Sequence, residues 1–111
     1  MNTISWDDFE KIEIRVGTVL TVERFPEARS PAYKLTVDFG PLGVKQTSAQ
    51  ITKRYDPAQL VGRQVLAVTN FPPKKIAGFK SEVLVLGAVP GDGDVVLLNV
   101  DENMPEGTRG L

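Results

Sequence analysis

The chain has 111 residues, a 41% hydrophobic fraction, a formal charge of −1, and neither cysteine nor histidine. Disulfides, thiol nucleophiles and thiolate metal sites are excluded, and the commonest general base and metal ligand is missing with histidine. Residues 1–111 suit one domain. No apolar run approaches about 18 residues, and the N-terminus lacks a basic region followed by an apolar one. A cytoplasmic protein without membrane insertion is therefore expected.

Charge is unevenly distributed. Residues 45–80 hold Lys45, Lys53, Arg54, Arg63, Lys74, Lys75 and Lys80 against Asp56 alone. After Ser81 come Glu82, Asp92, Asp94, Asp101, Glu102 and Glu106 against Arg109. This asymmetry points to a basic patch rather than to indiscriminate coating of nucleic acid.

In chain order, Ser5 can cap a short helix with Asp8 in the capping-box place. Trp6 and Phe9 give it one apolar edge, which must dock on the chain itself or on a second subunit. From Ile12 to Glu23 the period changes to two. Ile12, Ile14, Val16, Thr18, Leu20 and Val22 face one way, and Gly17 marks a bend or bulge. After a loop at 25–31, a second strand turns Tyr33, Leu35, Val37 and Phe39 inward and Lys34, Thr36 and Asp38 outward. Gly40-Pro-Leu-Gly43 is a turn, and residues 44–49 form a third, more polar strand.

Residues 50–55 read as a helical turn stopped before Pro57. A fourth strand spans 63–71 and a fifth 81–89. Pro90-Gly-Asp-Gly-Asp94 is a tight turn, residues 95–98 pair back, and the tail from Asp101 lies extended. The last strands are almost continuously apolar, so both faces need cover. The N-terminal helix, the tail or a partner subunit could supply it, and a homodimer is the favoured solution. The pattern fits an all-β, five-stranded OB-fold barrel with a short N-terminal helix, a helical turn between strands three and four, and an extended C-terminal tail.

Catalytic groups are scarce. Ser30, Ser48 and Ser81 have no base nearby in sequence, and Lys80 and Ser81 are adjacent strand positions that point to opposite faces. Gly91-Asp-Gly-Asp94 lacks the further ligands and the closing glutamate of a calcium loop. No cofactor is expected, and the chain reads as a binding protein rather than an enzyme.

The binding signal centres on residues 70–82, a connector between two apolar runs. Pro72-Pro73 stiffens it, and Lys74, Lys75 and Lys80 alternate with Phe71, Ile76 and Phe79. Cations mixed with apolar groups suit an extended polypeptide or a nucleic acid; the same composition also describes a stiff soluble loop with Phe79 as a core plug. For a polypeptide the candidates are Phe71, Ile76, Phe79, Lys74 and Lys75. For RNA they are Lys34, Ser48, Asn70, Lys74, Lys75, Lys80 and Ser81. Asn70 either offers its amide to a ligand or caps the loop.

Arg15-Val-Gly17, Phe25-Pro-Glu-Ala28, Ser48-Ala-Gln-Ile51, Asn70-Phe-Pro-Pro-Lys74 and Ala77-Gly-Phe-Lys-Ser81 resemble the tRNA-binding domain of the EMAP-II and methionyl-tRNA synthetase C-terminal type. Longer runs, including Ser48-Ala-Gln-Ile-Thr-Lys-Arg-Tyr55 and Gly93-Asp-Val-Val-Leu-Leu98, resemble the small stand-alone bacterial members of that family. The resemblance covers essentially the whole chain. It implies an OB fold, a homodimer and a chaperone-like role in protein export, with tRNA binding as the wider activity. Glu82 and Val83 stand where tRNA-binding members usually carry Gln and Gly. A carboxylate repels phosphate, which tilts the reading toward non-native or export-bound polypeptides, with tRNA as the alternative partner.

Overall fold

The computed structural model describes all 111 residues. The elements are α1 (Trp6–Glu10), β1 (Ile14–Arg24), β2 (Tyr33–Asp38), a 3-10 turn (Gly40–Leu42), β3 (Val44–Ala49), α2 (Pro57–Leu60), β4 (Gln64–Val68), β5 (Lys74–Ile76), β6 (Phe79–Ser81), β7 (Leu84–Val85), β8 (Gly87–Ala88), β9 (Val96–Leu97) and β10 (Arg109–Gly110). The main sheet runs β3-β2-β1-β4-β7, with β10 beside β1. It curls into a nearly closed, all-β, OB-fold-like barrel.

β1 makes the curl possible. Its first half pairs β4 from Ile14 to Thr18, and its second half pairs β2 from Thr18 to Arg24. One strand therefore serves both sides of the barrel. The expected bend at Gly17 lies instead three residues later. The register with β2 slips between Val19 and Thr21, leaving Leu20 as the extra residue of a bulge. Val19 is consequently buried and Leu20 is exposed, the reverse of strict alternation. Gly17 is needed for close approach. A Cβ there would lie 2.5 Å from Val37 Cγ1 and 2.6 Å from Phe39 Cε1.

β3 keeps its expected boundaries, and β2 keeps its expected faces while ending at Asp38. Tyr33, Leu35, Val37 and Phe39 are buried together with Leu60, Val65 and Ala67. Two tyrosines carry hydrogen bonds through this core. Tyr33 Oη donates to the Tyr55 carbonyl at 2.7 Å, and Leu97 N donates to Tyr55 Oη at 3.0 Å. Both phenols thus satisfy the polar tip that burial demands.

Residues 51–55 form a hydrogen-bonded turn before Pro57, with Tyr55 N donating to the Ile51 carbonyl at 3.4 Å, and a separate short helix, α2, begins at Pro57. Pro57 occupies the first turn of α2, where its missing N–H costs nothing. Gln59 Oε1 accepts from Asp56 N at 2.7 Å and secures that start. The fourth strand is shorter than expected, and residues 81–89 divide into β7 and β8. The turn at 90–94 forms as read, with Gly93 N donating to the Pro90 carbonyl at 2.9 Å.

The tail does more than extend. Gln64 and Met104 exchange two bonds, Nε2 to the Met104 carbonyl at 2.7 Å and Met104 N to Oε1 at 2.9 Å. β10 then pairs Ile14 and Arg15 of β1. A polar cluster fixes this corner. Arg15 Nη2 donates to Glu13 Oε1 at 2.6 Å, and Arg109 Nη2 lies 3.4 Å from Glu13 Oε2. Arg109 also donates to the Glu10 carbonyl at 2.9 Å, tying α1 to the tail. Of the apolar edge of α1, Phe9 is partly buried whereas Trp6 is 83% exposed.

The hydrogen bond from Arg15 is the main cause of a lowered Glu13 pKa. Burial of the carboxyl opposes it, and the charges of Arg109 and Arg15 add to the lowering. A carboxylate whose pKa is lower in the folded chain contributes stability above its unfolded pKa and loses it as pH falls through the folded one. Unfolding measured from pH 7 down to about 3 should therefore show a loss of stability that Glu13→Gln flattens; identical profiles would refute this role. Gly17→Ala should cost about 1–3 kcal/mol in urea denaturation, because Val37 and Phe39 are fully buried and cannot step aside.

Candidate functional site

The connector at 70–82 is not a plain loop. It folds as the β5–β6 hairpin, pairing Lys74 with Ser81, Lys75 with Lys80, and Ile76 with Phe79. The turn is Ala77-Gly78, and both residues have positive φ (49° and 81°), as a two-residue hairpin turn of the right twist needs. Cross-strand partners share a face. Ser81 is buried and Ile76 and Phe79 are partly buried, so that face turns inward; Lys75 and Lys80 lie on the outer, exposed face.

The base of the hairpin closes the barrel against β3. Glu82 N donates to the Gln46 carbonyl at 2.9 Å, and Gln46 N donates back to Glu82 Oε1 at 3.0 Å. Ser48 N donates to Ser81 Oγ at 3.0 Å, and Thr47 Oγ1 donates to the Val83 carbonyl at 2.8 Å. Gln46 Nε2 reaches the Lys80 carbonyl at 3.0 Å. Side chains therefore replace much of the missing backbone ladder along this edge.

Beside this seam lies an open groove of about 370 Å³, lined by Ser48, Phe71, Pro72, Lys74, Ile76, Ser81, Glu82, Val83 and Leu84. Phe71 is 53% and Leu84 50% exposed. A second apolar cleft shares Ser48 and Leu84 and continues past Ile51, Leu86, Val89 and Leu97. Together they form a trough across one side of the barrel.

Of the expected polypeptide contacts, Phe71, Ile76 and Lys74 line the groove, whereas Phe79 and Lys75 do not. The Phe79 ring meets Phe25 edge-on, with centroids 5.4 Å apart at 72°. Lys75 points outward because it is one position out of phase with Lys74 and Ile76. Among the expected RNA contacts, Ser48, Lys74 and Ser81 line the groove, with Ser81 Oγ already bonded to β3. Lys34 Nζ sits 4.7 Å from the Phe25 centroid and 5.2 Å from that of Phe79. Lys75 and Lys80 oppose each other, and none of these four lysines is in an ion pair.

Asn70, offered in the sequence as either a ligand-facing amide or a cap, is exposed and makes capping bonds. Its Oδ1 accepts from Glu13 N at 3.0 Å and its Nδ2 donates to the Lys11 carbonyl at 2.6 Å. The amide clamps the end of α1 to the end of β4, the capping alternative realised across 57 residues of sequence. Leu84, Val83 and Glu82 were missed as groove residues. Their signal was the alternation that starts at Ser81, placing Ser81 and Val83 inward and Glu82 and Leu84 outward.

A family model described as "Putative tRNA binding domain" matches residues 14–109. The chain belongs to the tRNA-binding domain family. This is a family of binding domains, not of catalytic ones. Over its whole length the chain is similar to two solved members. The crystal structure of chaperone CsaA from Bacillus anthracis is 56% identical, with a TM-score of 0.95, covering 99% of this chain and all of that one. The CsaA chaperone protein of Picrophilus torridus is 50% identical, with a TM-score of 0.92, covering 98% of this chain and 100% of that one. Among curated relatives, the methionine–tRNA ligase of Rhodopirellula baltica is 42% identical over 106 residues, which are 96% of this chain and 16% of that enzyme. The chain spans about one sixth of the length of the ligases it matches. The chain carries no helix long and apolar enough to cross a membrane.

Ser81→Ala removes the acceptor for Ser48 N and a partner of Thr47 Oγ1 in a buried seam. It should cost about 1–3 kcal/mol in chemical denaturation. Hydrogen exchange should also rise first at Ser48; equal stability and exchange would show that the seam does not depend on it.

Proposed function

We propose that this chain is a chaperone that binds non-native, export-bound polypeptides in the cytoplasm, working as a homodimer and without catalysis of its own. Residues 1–111 act as one binding domain. The observation that carries this reading is the groove itself, where Phe71, Pro72, Ile76 and Leu84 leave apolar surface open to solvent. Unfolded chains differ from folded ones in exposing apolar side chains, which such a surface can cover. Lys74 at the rim steers acidic segments, and the Glu82 carboxylate steers basic ones. The CsaA resemblance supports the same reading. A homodimer is supported by further apolar side chains left bare on one chain, among them Trp6, Val89, Val96 and Leu98.

One observation favours RNA as a second partner. Lys75 and Lys80 face each other across the hairpin with no acid to neutralise them, an arrangement unfavourable to the free chain and favourable to a phosphate.

A labelled unfolded polypeptide, reduced and carboxymethylated lactalbumin, should bind with a Kd in the micromolar range, and Phe71→Ala should weaken it about five-fold or more. No binding at tens of micromolar would overturn the chaperone reading. In the same titration with unfractionated tRNA, replacing Lys75 and Lys80 by Ala should lower the log–log salt slope by about 1 to 2. An unchanged slope would remove these lysines from any RNA site.

A further inference from the structure

We propose that Phe25 is a positioning residue for the groove: its ring holds the free tip of the β5–β6 hairpin over the outer face of β2 and β3. The proposal rests on the reading of the groove as a polypeptide site, and it assigns control of that site to a residue outside it.

The hairpin has only three ladder pairs, too few to hold its own shape in water. Its base is bonded to β3 through Gln46, Thr47, Ser48, Ser81 and Glu82. Its tip, Ile76 to Phe79, has no such bonds to the barrel. What it has is the edge-on contact of Phe79 with Phe25. Lys34 Nζ lies over both rings and closes the arrangement. Such ring pairs and cation–ring contacts favour one geometry over a range of others.

Phe25 is suited to this role. It is only 3% exposed, yet it does not belong to the main core cluster. Phe79 and Lys34 lie against its ring, and its own loop and Thr52 lie beside it. Its backbone is fixed at both ends of the 25–32 loop, with Phe25 N donating to the Ala32 carbonyl at 3.1 Å and Ala28 N donating to the Phe25 carbonyl at 3.2 Å. The hairpin is therefore held at its tip by a rigid post. Ile76, the strand partner of Phe79, lines the groove. Movement of Phe79 away from Phe25 carries Ile76 with it and alters the groove while the base at Lys74 and Ser81 stays bonded to β3.

The test uses the full chain and the variants Phe25→Leu, Phe79→Leu and both together. Hydrogen exchange of the amides at 75–80 should speed up in each variant, while those of β1, β2 and β4 stay as in the wild type. Affinity for labelled, carboxymethylated lactalbumin should fall about five-fold in either single variant. It should fall no further in the double variant, since each removes the same contact. Wild-type affinity in Phe25→Leu, or single effects that multiply in the double variant, would overturn the proposal. If the wild type itself fails to bind, the chaperone reading falls, and unchanged hairpin exchange in Phe25→Leu then overturns the post separately. Should Phe25→Leu not fold, Phe25→Met keeps the volume without the ring and is read in the same way.

Discussion

The architecture depends on how the barrel closes between β3 and residues 80–83. A complete ladder would close it with backbone groups alone. Here Gln46 and Ser48 present N–H groups that find side-chain oxygens of Glu82 and Ser81, and Thr47 supplies a hydroxyl to the Val83 carbonyl. Backbone donors left bare in such a seam are costly, so these side chains are required wherever the ladder is missing. Closure by side chains also leaves the strands less tightly drawn together than a ladder would. The groove opens beside that looser seam, and the hairpin that overhangs it is attached through the same residues.

Glu82 shows how a local reading can be right about a group's chemistry and miss its work. In sequence it is a carboxylate near lysines, set to repel phosphate. In the structure one of its oxygens accepts from Gln46 N, so the residue is part of closure. Its charge remains, and it lines the groove with Lys74. The groove therefore sets one anion and one cation among apolar walls. Lys75 and Lys80, on the other face of the hairpin, have no such neighbour. The two proposed partners are therefore served by opposite faces of one small element.

The parts legible in sequence were those decided by neighbours in sequence. β2 follows a simple period of two. The Ser5–Asp8 capping box and the turn at 90–94 rest on contacts within three or four residues. The run of short strands pointed to the barrel, and the family resemblance implied the same fold. Less legible were features set by distant residues. Leu20 becomes a bulge because β1 must serve two sheet neighbours, which its own alternation does not announce. The β5–β6 hairpin was hidden because Ala77 takes positive φ where glycine or asparagine would have advertised the turn. Asn70 meets Glu13 and Lys11 only once the barrel has formed. The candidate residues fall largely on and beside one connector, but the phase of the hairpin, which separates Lys74 from Lys75, could not be read without its register.

The charge asymmetry of the chain acquires a physical meaning from the same contacts. Several acids of the C-terminal third are occupied within the structure. Asp94 pairs with Arg54 at 3.1 Å, Glu106 accepts from Thr18 Oγ1 at 3.2 Å, and Asp92 accepts from Asp94 N at 2.9 Å. The hairpin lysines make no such pairs. A nearly neutral chain thus leaves the hairpin lysines unpaired while several of its acids serve as acceptors within the fold. Net charge describes solubility and long-range attraction; which charges remain free decides what can bind. That distinction follows from folding, because closing the barrel and the 90–94 turn engages these carboxylates and leaves the lysines on an outward-facing hairpin.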